Sequence, residues 1–104
     1  MTFRQIKNNP IMFSARIAEA MKDGETLDYV NECLRLFVGG SFGEIGEEDT
    51  QANLAEVEQG KGRCVAHYKK MHRLQGDFYI IADFSESMPG EDSNHTSIFY
   101  CDEY

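Results

Sequence analysis

The spacing of the apolar residues changes near Gly62. Before this glycine they recur every three or four residues, which is the period of an amphipathic helix. After it they alternate with polar residues, which is the period of a strand with one buried face. Helices that precede strands in this way predict an α+β fold, in which about three helices pack on one face of a small, mainly antiparallel sheet of three to four strands.

The three predicted helices have recognisable ends. Ser14 is a good N-cap for the first helix and Asp49 for the third, whereas Gly24 is typical of a helix end. In the third helix we expect Leu54 and Val57 to face inward, which leaves an acidic outer face. The predicted helices span residues 15–22, 26–38 and 49–60.

The three predicted strands are rich in Val, Ile, Tyr, Phe and Thr and are separated by turn residues, so they predict an antiparallel meander. They span residues 63–70, 77–84 and 96–101. In the second strand, alternate side chains should meet the helices, namely Phe78, Ile80, Ala82 and Phe84. Thr2–Lys7 can add an edge strand, and Met88–Asn94 is typical of a polar turn.

The length of 104 residues predicts a single domain over residues 1–104. Near the amino terminus, Ile11–Phe13 is the apolar run, and it is far too short for a secretory signal or a membrane span. The three cysteines, Cys33, Cys64 and Cys101, are odd in number and widely spaced, which is typical of free thiols in a reducing compartment. We therefore expect a cytoplasmic protein.

Acidic residues are concentrated in two segments without Lys or Arg. Residues 43–60 hold six carboxylates and residues 76–104 hold seven, whereas residues 61–75 contribute five positive charges and residues 1–42 are neutral. The net charge of -8 argues against direct binding to a phosphate backbone and favours a basic partner. The alternative interpretation is an ordinary solvated acidic surface.

A series of short motifs resembles a family of small phage- and plasmid-borne bacterial proteins. In that family a Gly-Asp-Trp-Gly-Asp segment follows a helix, an Asn-bearing helix comes next, and the chain ends in Glu-Glu-Tyr. Here Phe42 takes the place of the tryptophan, and the loop after Tyr68 is longer and basic. The matching positions are Gly40–Ile45, Glu48–Asp49, Asn53, Gly60, Tyr68, Ile80–Asp83 and Thr96–Tyr104.

The resemblance implies an anti-CRISPR-like inhibitor, because some members of the family block Cas9. Cas9-type effectors hold nucleic acid in a positively charged channel, and protein carboxylates can pair with the same arginines. We expect the protein to block nucleic-acid loading or cleavage in such an effector, and to bind neither nucleic acid nor membrane itself. The expected partner-binding residues are Glu44, Glu47, Glu48, Asp49, Glu56, Glu58, Glu91, Asp92, Asp102 and Glu103.

The segment around Phe42 also has a purely structural interpretation. Gly40 and Gly43 on either side suit a tight helix exit, because glycine adopts positive φ without strain. Phe42 would then fill a place in the core. Tyr68 and Tyr104 are likewise expected to be packing residues whose hydroxyl groups are hydrogen-bonded.

The alternative function is that of a small zinc-binding structural or adaptor protein of phage or plasmid origin. Cys64, His67 and His72 have the spacing Cys-x2-His-x4-His, and Cys101 on a neighbouring strand is a fourth candidate ligand. On one regular strand Cys64 and His67 would point to opposite faces, so they could share a metal only through a bulge or turn. His67 and His72 flank a turn and can converge more easily.

No motif predicts an enzyme. The sequence contains no Walker loop, no dinucleotide-binding fingerprint and no His-Glu-x-x-His pattern. A Cys–His nucleophile pair would also need an orienting group and an oxyanion hole, which the spacing does not indicate. The acidic run Glu47–Asp49 is explained by its favourable interaction with a helix amino terminus. We therefore expect a binding protein without catalytic activity.

Overall fold

The structure is a computed structural model that describes residues 10–59, 61–85 and 95–104. The predicted edge strand Thr2–Lys7 and the predicted turn Met88–Asn94 lie outside the described residues. Those described form a mixed α+β arrangement. In chain order its elements are β1 (Ile11–Phe13), α1 (Ala15–Ala20), α2 (Gly24–Val38), α3 (Glu47–Gln59), β2 (Lys61–Tyr68), β3 (Phe78–Ser85), β4 (His95–Tyr100) and a 3-10 turn (Cys101–Glu103).

The sheet has the strand order β1-β4-β3-β2. β2, β3 and β4 form the predicted antiparallel meander, in which Val65 pairs with Ile81 and Ile81 with Ser97. β1 lies parallel to β4, with Ile11 opposite Thr96, so the sheet is mixed rather than purely antiparallel. A strand of three residues is too short to show alternation, which explains why the sequence pattern did not predict β1.

The core lies between the sheet and the helices. Phe78, Ile80 and Ala82 are fully buried on the helix-facing side of β3, as the alternation predicted. The side chain of Phe84, the fourth residue of that prediction, lies outside the described part. Each large apolar side chain buried in this way contributes about 1.5–3 kcal/mol to folding. The other side chains that are completely buried in this core include Ile17, Val30, Phe37, Cys64, Ala66 and Ile98.

The starts of α2 and α3 differ from the predicted ones. α2 begins at Gly24, because the Asp23 carboxylate accepts a hydrogen bond from the Thr26 main-chain N–H at 3.0 Å. Gly24 therefore opens α2 instead of ending α1. α3 begins at Glu47, so Asp49 lies in its first turn and is not its N-cap, which corrects the prediction.

α3 buries Asn53 in place of the predicted Leu54, which corrects that part of the prediction. Asn53 is 5% exposed, whereas Leu54 remains 38% exposed at the surface. The side chain of Val57 lies outside the described part. α3 packs against β2, an edge strand of the sheet, whose unpaired main-chain groups need hydrogen-bond partners. A buried amide satisfies that need and a leucine cannot.

Among the helices that the structure describes, none is long and apolar enough to cross a membrane.

Candidate functional site

The turn that leads into α3 is fastened to the edge of β2. The main-chain N–H of His67 donates to the Phe42 carbonyl at 3.1 Å, and the Glu44 N–H donates to the His67 carbonyl at 2.6 Å. Phe42 is 4% exposed and meets Phe37 edge to face, with ring centroids 5.8 Å apart. The predicted tight turn with a core aromatic is therefore confirmed, and it leaves the Glu44 side chain exposed.

Asn53 fastens α3 itself to the same edge. Its Nδ2 donates to the Val65 carbonyl at 2.8 Å, and its Oδ1 accepts from the Val65 N–H at 3.0 Å. The Asn53 side chain thus makes the two hydrogen bonds to Val65 that a neighbouring strand would otherwise make at this edge. The sequence marked Asn53 only as a point of family resemblance, because nothing local to a helix shows that its polar residue will face a strand edge.

α3 and its preceding turn carry a set of carboxylates that we call the acidic face. Its members are Glu44, Glu47, Glu48, Asp49 and Glu56. Four are exposed and Glu56 is half-buried. Within the described part of the chain, none of the five makes an ion pair or accepts a side-chain hydrogen bond. Three of them, Glu47, Glu48 and Asp49, are favourably placed in the first turn of the helix.

Asp102 and Glu103, also predicted to bind the partner, are exposed but contact other residues of this protein. Asp102 pairs with Arg16 at 2.8 Å, and this contact raises the pKa of the guanidinium. Glu103 Oε1 accepts hydrogen bonds from the Ser14 hydroxyl and the Tyr100 N–H, both at 2.9 Å. These two carboxylates join the start of α1 to the end of β4. The structure does not make them part of the acidic face.

The structure does not describe the side chains of three further residues that were predicted to bind the partner. Glu91 and Asp92 lie outside the described residues. Glu58 belongs to α3, but its side chain lies outside the described part.

A groove of about 330 Å³ runs between α3 and β2. Ala52 and Val65 form part of its apolar floor, and Asp49 and Glu56 stand along its helix side. Arg63 lines the strand side, where its guanidinium pairs with Asp83 at 2.9 Å. We call this the α3–β2 groove. The sequence did not predict it, because the groove exists only once the helix is docked on the strand.

A wider depression of about 690 Å³ lies between α1 and the loop that follows β2. It is lined by three basic residues, each of which pairs with an acidic one. Their partners are Asp102 for Arg16, Glu19 for Lys22 and Asp23 for Arg73. Its basic groups are therefore already neutralised and leave little net charge for a phosphate.

The four candidate zinc ligands point to different surroundings. Cys64 is fully buried on the helix-facing side of β2, where burial, followed by the charge of Glu56, raises the pKa of its thiol to about 12. His67 lies on the opposite face, and its Nε2 is 2.9 Å from an Asp77 carboxylate oxygen. The predicted separation of Cys64 and His67 to opposite faces is confirmed.

The other two candidate zinc ligands also contact neighbouring side chains. His72 sits in the loop after β2 with Nδ1 3.3 Å from a Glu25 oxygen, and Cys101 contacts the Tyr79 hydroxyl. In residues 10–59, 61–85 and 95–104, no group of three or more His, Cys, Asp or Glu side chains is arranged to hold a metal ion. The structure does not bring the four predicted ligands together.

The sheet face opposite the helices carries a row of aromatic rings. His67, Tyr79 and Phe99 lie in register on β2, β3 and β4, with ring centroids 5.5 and 6.0 Å apart. Tyr104 stacks on Phe99 at 5.8 Å, and its hydroxyl accepts from Arg63 at 3.5 Å. The predicted packing of Tyr104 is thus observed, although the residue stays 76% exposed.

Comparisons with protein families, with curated proteins and with solved structures found no match to this chain. The resemblance to the phage- and plasmid-borne family therefore stays a prediction from the sequence.

Proposed function

We propose that this protein is an anti-CRISPR-like inhibitor that binds a Cas9-type effector through its acidic face. The observation that supports the proposal is the set of five carboxylates on α3 and its preceding turn, none of which pairs with a cation among the described residues. Such an effector presents arginines and lysines along its nucleic-acid channel. Occupation of that channel by carboxylates blocks loading or cleavage of nucleic acid in the host bacterial cytosol.

The way α3 is held supports this function. Asn53 and the Phe42 turn fix the helix to the sheet by four hydrogen bonds to β2. A preorganised surface loses less conformational entropy on binding than a flexible acidic segment does. Its carboxylates also steer a basic partner, which can raise the association rate by about 10 to 10³ at low salt. Inhibition would therefore be stoichiometric and would require no catalysis.

Titration against a Cas9-type effector, with and without guide RNA, tests the proposal. We expect a one-to-one complex that weakens as salt is raised, and a loss of guide or target binding by the effector in the complex. Absence of a complex in both states at low salt would remove the proposal.

A matched pair of charge reversals locates the interface. Glu47→Lys with Glu48→Lys reverses two charges in the first turn of α3, and Glu25→Lys with Asp28→Lys does the same near the start of α2. Each variant removes a carboxylate from the first turn of a helix, where it interacts favourably with the dipole, and the α2 variant also loses the contact between Glu25 and His72. Loss of one partner of a desolvated interfacial ion pair costs about 2–5 kcal/mol of binding. The α3 variant should therefore bind at least tenfold more weakly, whereas the α2 variant should bind like wild type.

A further inference from the structure

The α3–β2 groove combines an apolar floor with two carboxylates. Ile45, Ala52 and Val65 supply the apolar surface, and Asp49 and Glu56 stand two helical turns apart beside it. Seven residues of helix rise about 10 Å, so the two carboxylates belong to residues about 10 Å apart along the helix side of the groove. Its volume of about 330 Å³ lies within the range of small-ligand sites.

The Glu56 carboxylate, which lines the groove, lies close to Gly62 of β2. Gly62 has φ +121°, and a Cβ at that position would lie on the Glu56 carboxylate. The absence of a side chain at Gly62 therefore makes room for this half-buried carboxylate. In the described residues the carboxylate meets no cation, because the nearby Arg63 is paired with Asp83 at 2.9 Å.

We infer that the α3–β2 groove binds the side chain of an arginine on the partner protein. This inference rests on the proposed function, since it names the residue type that the acidic face would capture. The three methylene groups of an arginine can lie on the apolar floor while its guanidinium reaches one of the two carboxylates. A planar guanidinium makes two parallel hydrogen bonds with one carboxylate, and it loses less hydration than an ammonium group when it is covered.

Other cations fit the groove less well. Calcium takes six to eight oxygen ligands at about 2.3–2.6 Å, and the groove offers two carboxylates set apart along the helix. The amide nitrogen and the amide oxygen of Asn53 are both hydrogen-bonded to Val65, so Asn53 adds no ligand. A lysine has the apolar stem but only a compact, strongly hydrated charge. The apolar lining and the separation of the two carboxylates therefore favour arginine.

A titration with short peptides tests the groove without the effector. The probe is the blocked tripeptide Gly-Arg-Gly, with Gly-Lys-Gly and Gly-citrulline-Gly for comparison, followed by amide NMR shifts of the isotope-labelled protein. We expect the arginine peptide to shift the amides of Ala52, Glu56 and Val65 with a Kd on the order of millimolar. Lysine should bind more weakly and citrulline, which is uncharged, should not bind. Equal shifts with citrulline, or arginine shifts located elsewhere, would overturn the inference.

Two variants test the groove in the complex with the effector. Ala52→Leu fills the groove without changing charge, and Ala52 is exposed on the helix, so the fold should tolerate it. Glu56→Gln removes one of the two charges. The controls are Ala18→Leu on α1, which is the same substitution, and Asp28→Asn on α2, which also converts a carboxylate to its amide; both positions are exposed and away from the groove. We expect a loss of at least tenfold in affinity for both groove variants and less than twofold for the controls.

The outcomes separate the two proposals. If the effector binds wild type and both groove variants equally well, the groove inference is wrong and the proposed function stands. If the effector does not bind wild type at all, the proposed function is wrong, and the peptide titration alone decides whether the groove takes arginine.

Discussion

The main chain of Gly43 lies directly against the carbonyl group of His67. A Cβ at position 43 would be 2.1 Å from the His67 carbonyl oxygen, and Gly43 has φ +72°. The Phe42 and Glu44 main chains on either side are hydrogen-bonded to the same residue of β2. The turn that positions the acidic face therefore depends on the absence of a side chain at this one residue.

Gly43→Ala should destabilise the protein by at least about 2 kcal/mol, because it combines a left-handed conformation with a clash against main chain that cannot move freely. Gly76→Ala is the control, since a Cβ at Gly76 meets nothing within 4 Å and φ there is not positive. We expect its free energy of unfolding to stay within about 0.5 kcal/mol of wild type. Urea unfolding of both variants measures the difference. Equal stability of the two would contradict this account of the turn.

The sequence predicted this turn because its determinants are local. Two glycines around an aromatic residue after an amphipathic helix indicate a tight exit with a core aromatic, whatever the rest of the fold. The strand meander was predictable for the same reason, since alternation in β3 reports which side chains share a face. The inward position predicted for Leu54 was wrong. Local periodicity favours Leu54, but the neighbour of the helix is a strand edge that requires Asn53.

Removal of the Asn53 amide should loosen α3 from the sheet. Asn53→Ala loses two hydrogen bonds and leaves the Val65 N–H and carbonyl without their partner, which should cost about 1–3 kcal/mol. Gln51→Ala removes an amide from an exposed position of the same helix and should cost less than about 0.5 kcal/mol. Hydrogen exchange at the Val65 amide should accelerate only in the Asn53 variant. Unchanged protection of that amide would show that Asn53 does not hold the edge.

The stability of the protein in acid should depend on Asp77. The Lys70 N–H and then the His67 ring hold the pKa of Asp77 below its ordinary value of 3.8. These contacts stabilise the carboxylate form of Asp77 in the folded protein. The resulting contribution to folding stability is present above pH 3.8 and is lost as the pH falls through the lowered pKa. Asp77→Asn should therefore be less stable than wild type near pH 5, and its stability should decline less on acidification.

The measurement is urea unfolding at several pH values from about 5 down to about 2, the range in which such a carboxylate titrates. Asp28→Asn, which removes an exposed carboxylate from α2, controls for the change in net charge and should keep the wild-type slope. An Asp77→Asn variant with the same acid slope as Asp28→Asn would be inconsistent with the role assigned to Asp77.

The candidate site was predictable as a list of acidic residues but not as a surface. Charge counting places Asp102 and Glu103 in the same class as Glu47 and Glu48, because all four lie in segments without Lys or Arg. Their difference comes from residues distant in the sequence. Arg16 lies 86 positions from Asp102, and only the folded chain brings the two together. Pairing of this kind is tertiary information that no local pattern contains.

Substitutions in the acidic face should therefore weaken binding, whereas substitutions of Asp102 or Glu103 should lower stability. Glu103→Ala loses the hydrogen bonds from the Ser14 hydroxyl and the Tyr100 N–H, which should cost about 1–2 kcal/mol of folding stability. Glu44→Ala, which removes an exposed carboxylate of the acidic face, should leave the free energy of unfolding within about 0.5 kcal/mol of wild type. Binding to the effector should show the reverse order, because only Glu44 belongs to the proposed interface. Urea unfolding and titration calorimetry on the same preparations measure both quantities. A Glu103→Ala variant that keeps full stability but binds weakly would show that Glu103 belongs to the interface.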